Sequence, residues 1–305
     1  MRRFFTGVIA AAIIVTGAVA VLATRRAAVD NGEDAIVKAD HAVVQAIENR
    51  DKTGINRLVD PDFTWIDNQG IMWAKEDAFR AGLKPLLGTG SGVKVLEHKY
   101  GHVVWIQESE GKNYVAHFWV RRPSGWRLLH TTEITVRTRD FEPYRASYEI
   151  PCNNPCTEVP YKPLSAGEKA ALDEWQEQES SQTGWEKHVA DNMDQRVVST
   201  FGGQSPSKAA RIAGMNKRQA ANPNAPKVGA APALWIRTWD FGDAVVMISC
   251  QPTYGDKAYW SSRVLAPVKG LWQMTESYHN YILASPVMTA VEKQPMAESR
   301  AGGPR

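Results

Sequence analysis

The segment from Lys112 to Val136 constrains the fold more than any other. Two runs rich in β-branched and aromatic residues, Tyr114–Val120 and Trp126–Ile134, flank a turn at Pro123-Ser124-Gly125. That is the local pattern of a β-hairpin. It returns in Ala258–Leu265, a turn at Pro267 to Gly270, and Leu271–Tyr278. Each hairpin closes a longer unit of helices followed by strands. The chain therefore reads as one α+β module written twice.

Taken in order, Glu33 to Asn49 has helical spacing, with Ile36, Val37, Val43, Val44 and Ile47 inward and Lys38, Asp40, Gln45 and Glu48 outside. A short helix is expected over Lys52 to Val59, ended by Pro61. A strand over Phe63–Asp67, a turn through Gly70, a strand at Ile71–Trp73 and a helix from Glu76 to Lys84 follow. The glycine-rich stretch 88–92 lacks the lysine of a phosphate cradle and reads as a flexible loop. Strands are expected at Val93–His98 and His102–Glu108, then through the hairpin. The pattern restarts at Ser165, which with Glu168 has capping-box spacing. Helices at 166–180, Trp185–Ala190 and Pro206–Lys217 precede strands over Leu234–Trp239, Ala244–Gln251, Lys257–Leu265 and Trp272–Ile282. The organisation is thus a first module at 33–140, a Cys/Pro-rich linker at 141–164, a divergent second module at 165–284 and a polar tail at 285–305.

Residues 1–26 precede this as a hydrophobic helix. Arg2-Arg3, an apolar run from Phe4 to Ala23 and the small-x-small Ala18-Val19-Ala20 suit a secretory signal peptide. The run is also long enough for a membrane anchor, and Arg25-Arg26 leave its orientation open. Either way the expected location is periplasmic, secreted, or inner-membrane anchored with the globular part outside the cytoplasm. An oxidising compartment would let Cys152 and Cys156 form a disulfide across their Pro/Asn-rich loop. Cys250 reads as a buried small hydrophobe. The net charge of +3 is spread along the chain, which argues against nucleic acid as a partner.

Asp62-Phe63, Asp67-x-x-Gly70, Lys75-Glu76-Asp77 and Ser124-Gly125-Trp126-Arg127-x-x-His130 carry a family resemblance. In the order in which they fall, the first module resembles the nuclear transport factor 2-like superfamily, in its SnoaL-like and ketosteroid isomerase-like branch. The second module resembles it mainly through its likeness to the first. The resemblance implies two tandem cones, each a curved, mostly antiparallel sheet wrapped around about three helices, with a pocket at the open end. It leaves activity open, because one fold hosts many functions.

Within such a cone the candidates for acid–base chemistry are Asp67, His117 and His130. A carboxyl in an apolar pocket titrates high, and imidazole titrates near neutrality. Strand alternation puts His117 on a face with Trp119, and His130 on a face with Trp126 and Leu128. Trp65 and Trp119 would then line the ligand cavity, while Glu133 would face outward and His98 and His102 would be exposed. Aligning the hairpins on Trp126 and Trp272 puts Arg263 opposite His117 and Glu276 opposite His130, a pair able to form an ion pair or bind a polar ligand inside the second cone. Asp67, His117 and His130 lack metal-ligand spacing, so no metal and no cofactor are expected. The reading is an envelope protein that binds a small apolar ligand or a partner without catalysis. The alternatives are an isomerase, dehydratase or cyclase of a small apolar carbonyl compound, and an inner-membrane-anchored scaffold subunit. A homodimer and, through an uncleaved N-terminal helix, the inner membrane are the further expected partners.

Overall fold

A computed structural model describes residues 33–90, 92–138, 161–180, 187–188, 197–204, 207–221, 223, 233–253 and 257–283. The expected N-terminal helix, the Cys152–Cys156 pair and the tail lie outside these residues. Among the described residues, no helix is long and apolar enough to cross a membrane.

The first module runs α1 (Glu33–Glu48), α2 (Lys52–Leu58), β1 (Val59–Ile66), β2 (Met72–Ala74), α3 (Lys75–Ala81), β3 (Lys94–Tyr100), β4 (Val103–Glu110), β5 (Asn113–Arg122) and β6 (Gly125–Thr135). The second runs α4 (Ala166–Ser180), β7 (Val197–Ser199), β8 (Gly203–Gln204), α5 (Lys208–Ala221), β9 (Trp235–Asp240), β10 (Val245–Thr253), β11 (Lys257–Val268) and β12 (Leu271–Tyr281). The sheets have matching orders, β2-β1-β6-β5-β4-β3 and β8-β7-β12-β11-β10-β9. Neighbours are antiparallel except β1–β6 and β7–β12, which are parallel. This is the duplicated α+β architecture that the sequence implies.

Local chemistry sets the element ends. Asp51 caps α2 by accepting from the Thr53 amide at 3.0 Å. Gly82 closes α3 in the left-handed region. Ser165 Oγ accepts from the Glu168 amide, and Glu168 reaches back to the Leu164 amide, a near relative of the capping box. Pro61 does not terminate α2, which stops at Leu58. It sits inside β1, where pairing with β6 jumps from Val59 to Thr64, so its missing N–H leaves no ladder bond unmade.

Among the described residues, three apolar layers form the core. The first fills the first cone and joins α1 to the inner face of its sheet through Ile36, Val43, Phe63, Trp65, Ile106 and Trp119. The third does the same for the second cone around Leu172, Trp175 and Met247. The layer between them joins the outer faces of the two sheets, Trp105, Phe118 and Leu129 meeting Trp239, Val246, Cys250 and Trp260. Each such large side chain contributes about 1.5–3 kcal/mol on burial, so the modules are held by a shared core. Gly70 marks how tight the seam is. Its φ is +75°, and a Cβ there would lie 2.4 Å from the Tyr281 carbonyl oxygen, so only glycine fits. The buried Cys250, whose thiol burial pushes up, is part of the same seam.

One irregularity decides which side chains enter the cones. On β5–β6, Phe118 faces His130 but Trp119 faces Leu128, which makes Leu129 an extra residue. A bulge of this kind reverses the alternation beyond it. Leu128 therefore points into the first cone, whereas His130 points at the second module. The second module has the same bulge, with Val264 opposite Glu276, Leu265 opposite Met274, and Thr275 extra.

Candidate functional site

The first cone has a polar heart. Asp40, Glu108, His117 and Glu133 come from α1, β4, β5 and β6, and each is at most 4 % exposed. Trp119 Nε1–H donates to Asp40 Oδ1 at 2.6 Å, and His117 Nδ1 lies 2.9 Å from the same oxygen. Burial alone would lower the His117 pKa, but the Asp40 carboxylate outweighs it and raises it to about 9. His117 is thus held as a cation beside Asp40 at neutral pH. Burial raises the Glu108 carboxyl to about 7 against the opposing charge of His117. Burial likewise lifts Glu133 to about 8, although its Oε1 accepts from the Leu86 amide at 2.8 Å. That amide belongs to the irregular segment after α3, which also tucks Leu87 into the protein at 3 % exposure.

Of the residues singled out from the sequence, His117, Trp65 and Trp119 share this cone. Asp67 does not act as a free carboxylate there. Its Oδ1 accepts from the Gln69 and Ile71 amides, and its Oδ2 from Trp73 Nε1, all at 2.9 Å. It is the anchor of its own turn, as short polar side chains often are. His130 faces the seam, with Nδ1 near Thr64 Oγ1 at 2.9 Å and Nε2 near Ser262 Oγ at 2.8 Å. Burial lowers its pKa to about 3, so it is a neutral, satisfied core histidine. Replacing it by alanine should cost about 1–3 kcal/mol, from the unpaired Ser262 and Thr64 groups. Urea unfolding checks the cost. An unchanged unfolding free energy in His130→Ala would contradict this placement.

Arg263 and Glu276 form no ion pair inside the second cone, because the bulge sends them to opposite faces. Arg263 lies within the cone, over Trp175 at 6.0 Å, donating to Ser249 Oγ at 3.1 Å and Gln251 Oε1 at 3.2 Å. Glu276 faces the first module, accepting from the Tyr100 hydroxyl and lying 2.9 Å from His98 Nδ1. His98 is accordingly mostly buried, against the expectation of exposure, whereas the His102 side chain is 58 % exposed beside Asp243.

Three site residues, Asp40, Glu108 and Glu133, escaped the sequence reading. Asp40 carried a visible signal. It stands four residues after Ile36, three before Val43 and seven before Ile47, within the apolar stripe of α1. Glu108 likewise continues the inward alternation of Val104 and Ile106. Glu133 had no such signal, since the bulge reverses its parity. Two hollows of about 300 and 310 Å³ lie elsewhere, lined by Asp62, Lys75, Trp235 and Arg237 and by Asn56, Asp60, Arg122 and Arg127. Metal-ligating types converge at Asp40–Glu108–His117 and at Glu174–Glu177–His188. The combination of Asp67, His117 and His130 does not converge.

The class that the fold defines is a tandem α+β protein of two six-stranded modules with matching strand order and unlike interiors. No protein-family model matches the sequence, and no curated protein matches it. Among solved structures, a nuclear transport factor 2-like (NTF2-like) protein from Cytophaga hutchinsonii is 14% identical over 34% of this chain and 98% of its own, at a TM-score of 0.26. One from Rhodospirillum rubrum is 20% identical over 33% and 98%, also at 0.26. An NTF2-like protein from Bacteroides fragilis is 9% identical over 80% and 98%, at 0.21. These likenesses concern fold alone.

Proposed function

We propose that the first cone binds a small, mostly apolar carbonyl compound and moves a proton on it, as an isomerase, dehydratase or cyclase does, while the second module serves as its structural partner. The observation that carries this reading is Glu133. It is a buried carboxyl beside Trp65, with its one backbone amide donor in a segment outside any helix or strand. A carboxyl held neutral by burial can donate to a developing enolate, and once ionised it can accept the proton back. Displacing Leu86 and Leu87 would open the way to it.

Exchange of α-protons in D₂O, followed by NMR over a panel of small ketones and enones, tests the reading. The intact protein should accelerate exchange of at least one compound, and Glu133→Gln should slow it by about 10²–10⁴. Equal rates in the two proteins would remove Glu133 from the chemistry. Binding of the panel without any exchange would favour a second reading, ligand binding without catalysis. We also propose an envelope location, supported by Arg2-Arg3 and the apolar run to Ala23. N-terminal sequencing of the mature protein distinguishes a cleaved signal from a retained anchor, and the full leader on a cytoplasmic protein would refute export.

A further inference from the structure

We infer that the first cone holds a divalent first-row transition-metal ion between Asp40, Glu108 and His117. The donor atoms of these three side chains lie within 4.8 Å of one another, a spread that ligands of one small ion can close with small rotations. Each comes from a different element, so the folded sheet and α1 assemble the set. The decisive observation is a deficit of donors. Asp40 Oδ2 and Glu108 Oε2 are buried in residues only 1 % exposed and receive no N–H or hydroxyl donor, so a proton shared between the two carboxyls is the one partner the protein itself supplies in the place an ion would take. Buried carboxylate oxygens without donors or cations are costly. One ion between them would satisfy both.

The surroundings suit a metal. Trp119 Nε1–H holds Asp40 Oδ1, which fixes that carboxylate from behind and leaves Oδ2 free to ligate. Two carboxylates and a neutral imidazole around a dication make a site of zero net charge, the least expensive kind inside an apolar cone. One nitrogen and two oxygens suit Mn²⁺, Fe²⁺ or Zn²⁺ rather than Ca²⁺ or Mg²⁺, which prefer oxygen shells. Three protein ligands also leave positions open for water or another ligand. The His117 proton now shared with Asp40 would be released as the ring nitrogen takes the metal. Glu174–Glu177–His188 is the weaker set, because the Glu177 side chain is 67 % exposed. This inference stands apart from the proton-transfer reading, since metal content can be measured without turnover.

The full chain, produced with added manganese and zinc and purified without chelators, should carry one equivalent of metal. After chelation and reloading with Mn²⁺ near pH 8, pulsed EPR should show coupling to an imidazole nitrogen. The double variant Glu174→Gln/Glu177→Gln should keep both the equivalent and the coupling, whereas Glu108→Gln should bind more than about 100-fold more weakly. Absence of stoichiometric metal from the wild type overturns the inference. Loss of metal from the double variant overturns it too, as does unchanged binding by Glu108→Gln. Should Glu108→Gln fail to fold, the wild type and the double variant decide the matter by themselves.

Discussion

Replacing Asp40 by alanine is expected to cost about 3–5 kcal/mol of stability, the usual penalty for breaking a buried charge pair by deleting one partner. Asp40 Oδ1 takes both the Trp119 indole N–H and the His117 ring at Nδ1. Without it, the indole N–H loses its acceptor, and His117 is left beside Glu108, whose own ionisation burial opposes. Alanine is the better helix former, but that gain is a few tenths of a kcal/mol at most in a helix interior. Asp40→Asn should fall between, since an amide oxygen still accepts from Trp119 while the charge that neutralises His117 is gone. Urea unfolding with an unchanged m-value measures both. A cost below about 1 kcal/mol for the alanine variant would show that the cluster is not closed as described.

In the metal-free protein, stability should fall steeply as pH rises from about 6.5 to about 8. Glu133, Glu108 and Glu174 have folded pKa values raised from 4.5 to about 8, 7 and 8, all chiefly by burial. A group whose pKa is raised by folding binds its proton more tightly in the native state. Its contribution is complete below the unfolded value and is lost as pH climbs through the folded one. His117, raised from 6.5 to about 9 by Asp40 against its own burial, adds loss of the same sign over the last part of the range. His130 has the opposite sign. Burial lowers it from 6.5 to about 3, so it withdraws stability as pH falls below 6.5. The three carboxyls outnumber it there, which puts the steep part of the curve on the alkaline side. Unfolding free energies at pH 6 and pH 8.5 should differ by several kcal/mol. A flat or rising profile would mean that these carboxyls are ionised and solvated in the folded protein. Glu133→Gln should flatten the profile, because it removes one of the groups that produce it.

How far the residues themselves foretold this structure depends on which interaction sets each feature. The helix from Glu33, the hairpin around Gly125 and its echo around Gly270 were legible, since apolar periodicity and turn residues act over a few positions. So was the pairing of Arg263 with the place of His117, because the two modules share register as well as order. Asp40 was legible in principle from its place in the apolar stripe, but polarity argued for the opposite face. The direction of His130, Glu133 and Glu276 was not. Each lies just beyond a bulge, and one extra residue turns inward side chains outward without leaving a local sign.

Alternation of apolar and polar residues, read with Pro and Gly, determined the duplicated α+β modules, for these preferences are settled within one turn or strand. Only the tertiary structure decided that the sheets meet back to back, that Asp40, Glu108, His117 and Glu133 share one interior, and that His130 serves the seam between modules. Such outcomes depend on contacts between residues far apart in the chain and on a shift of register that costs little locally. No periodicity records them.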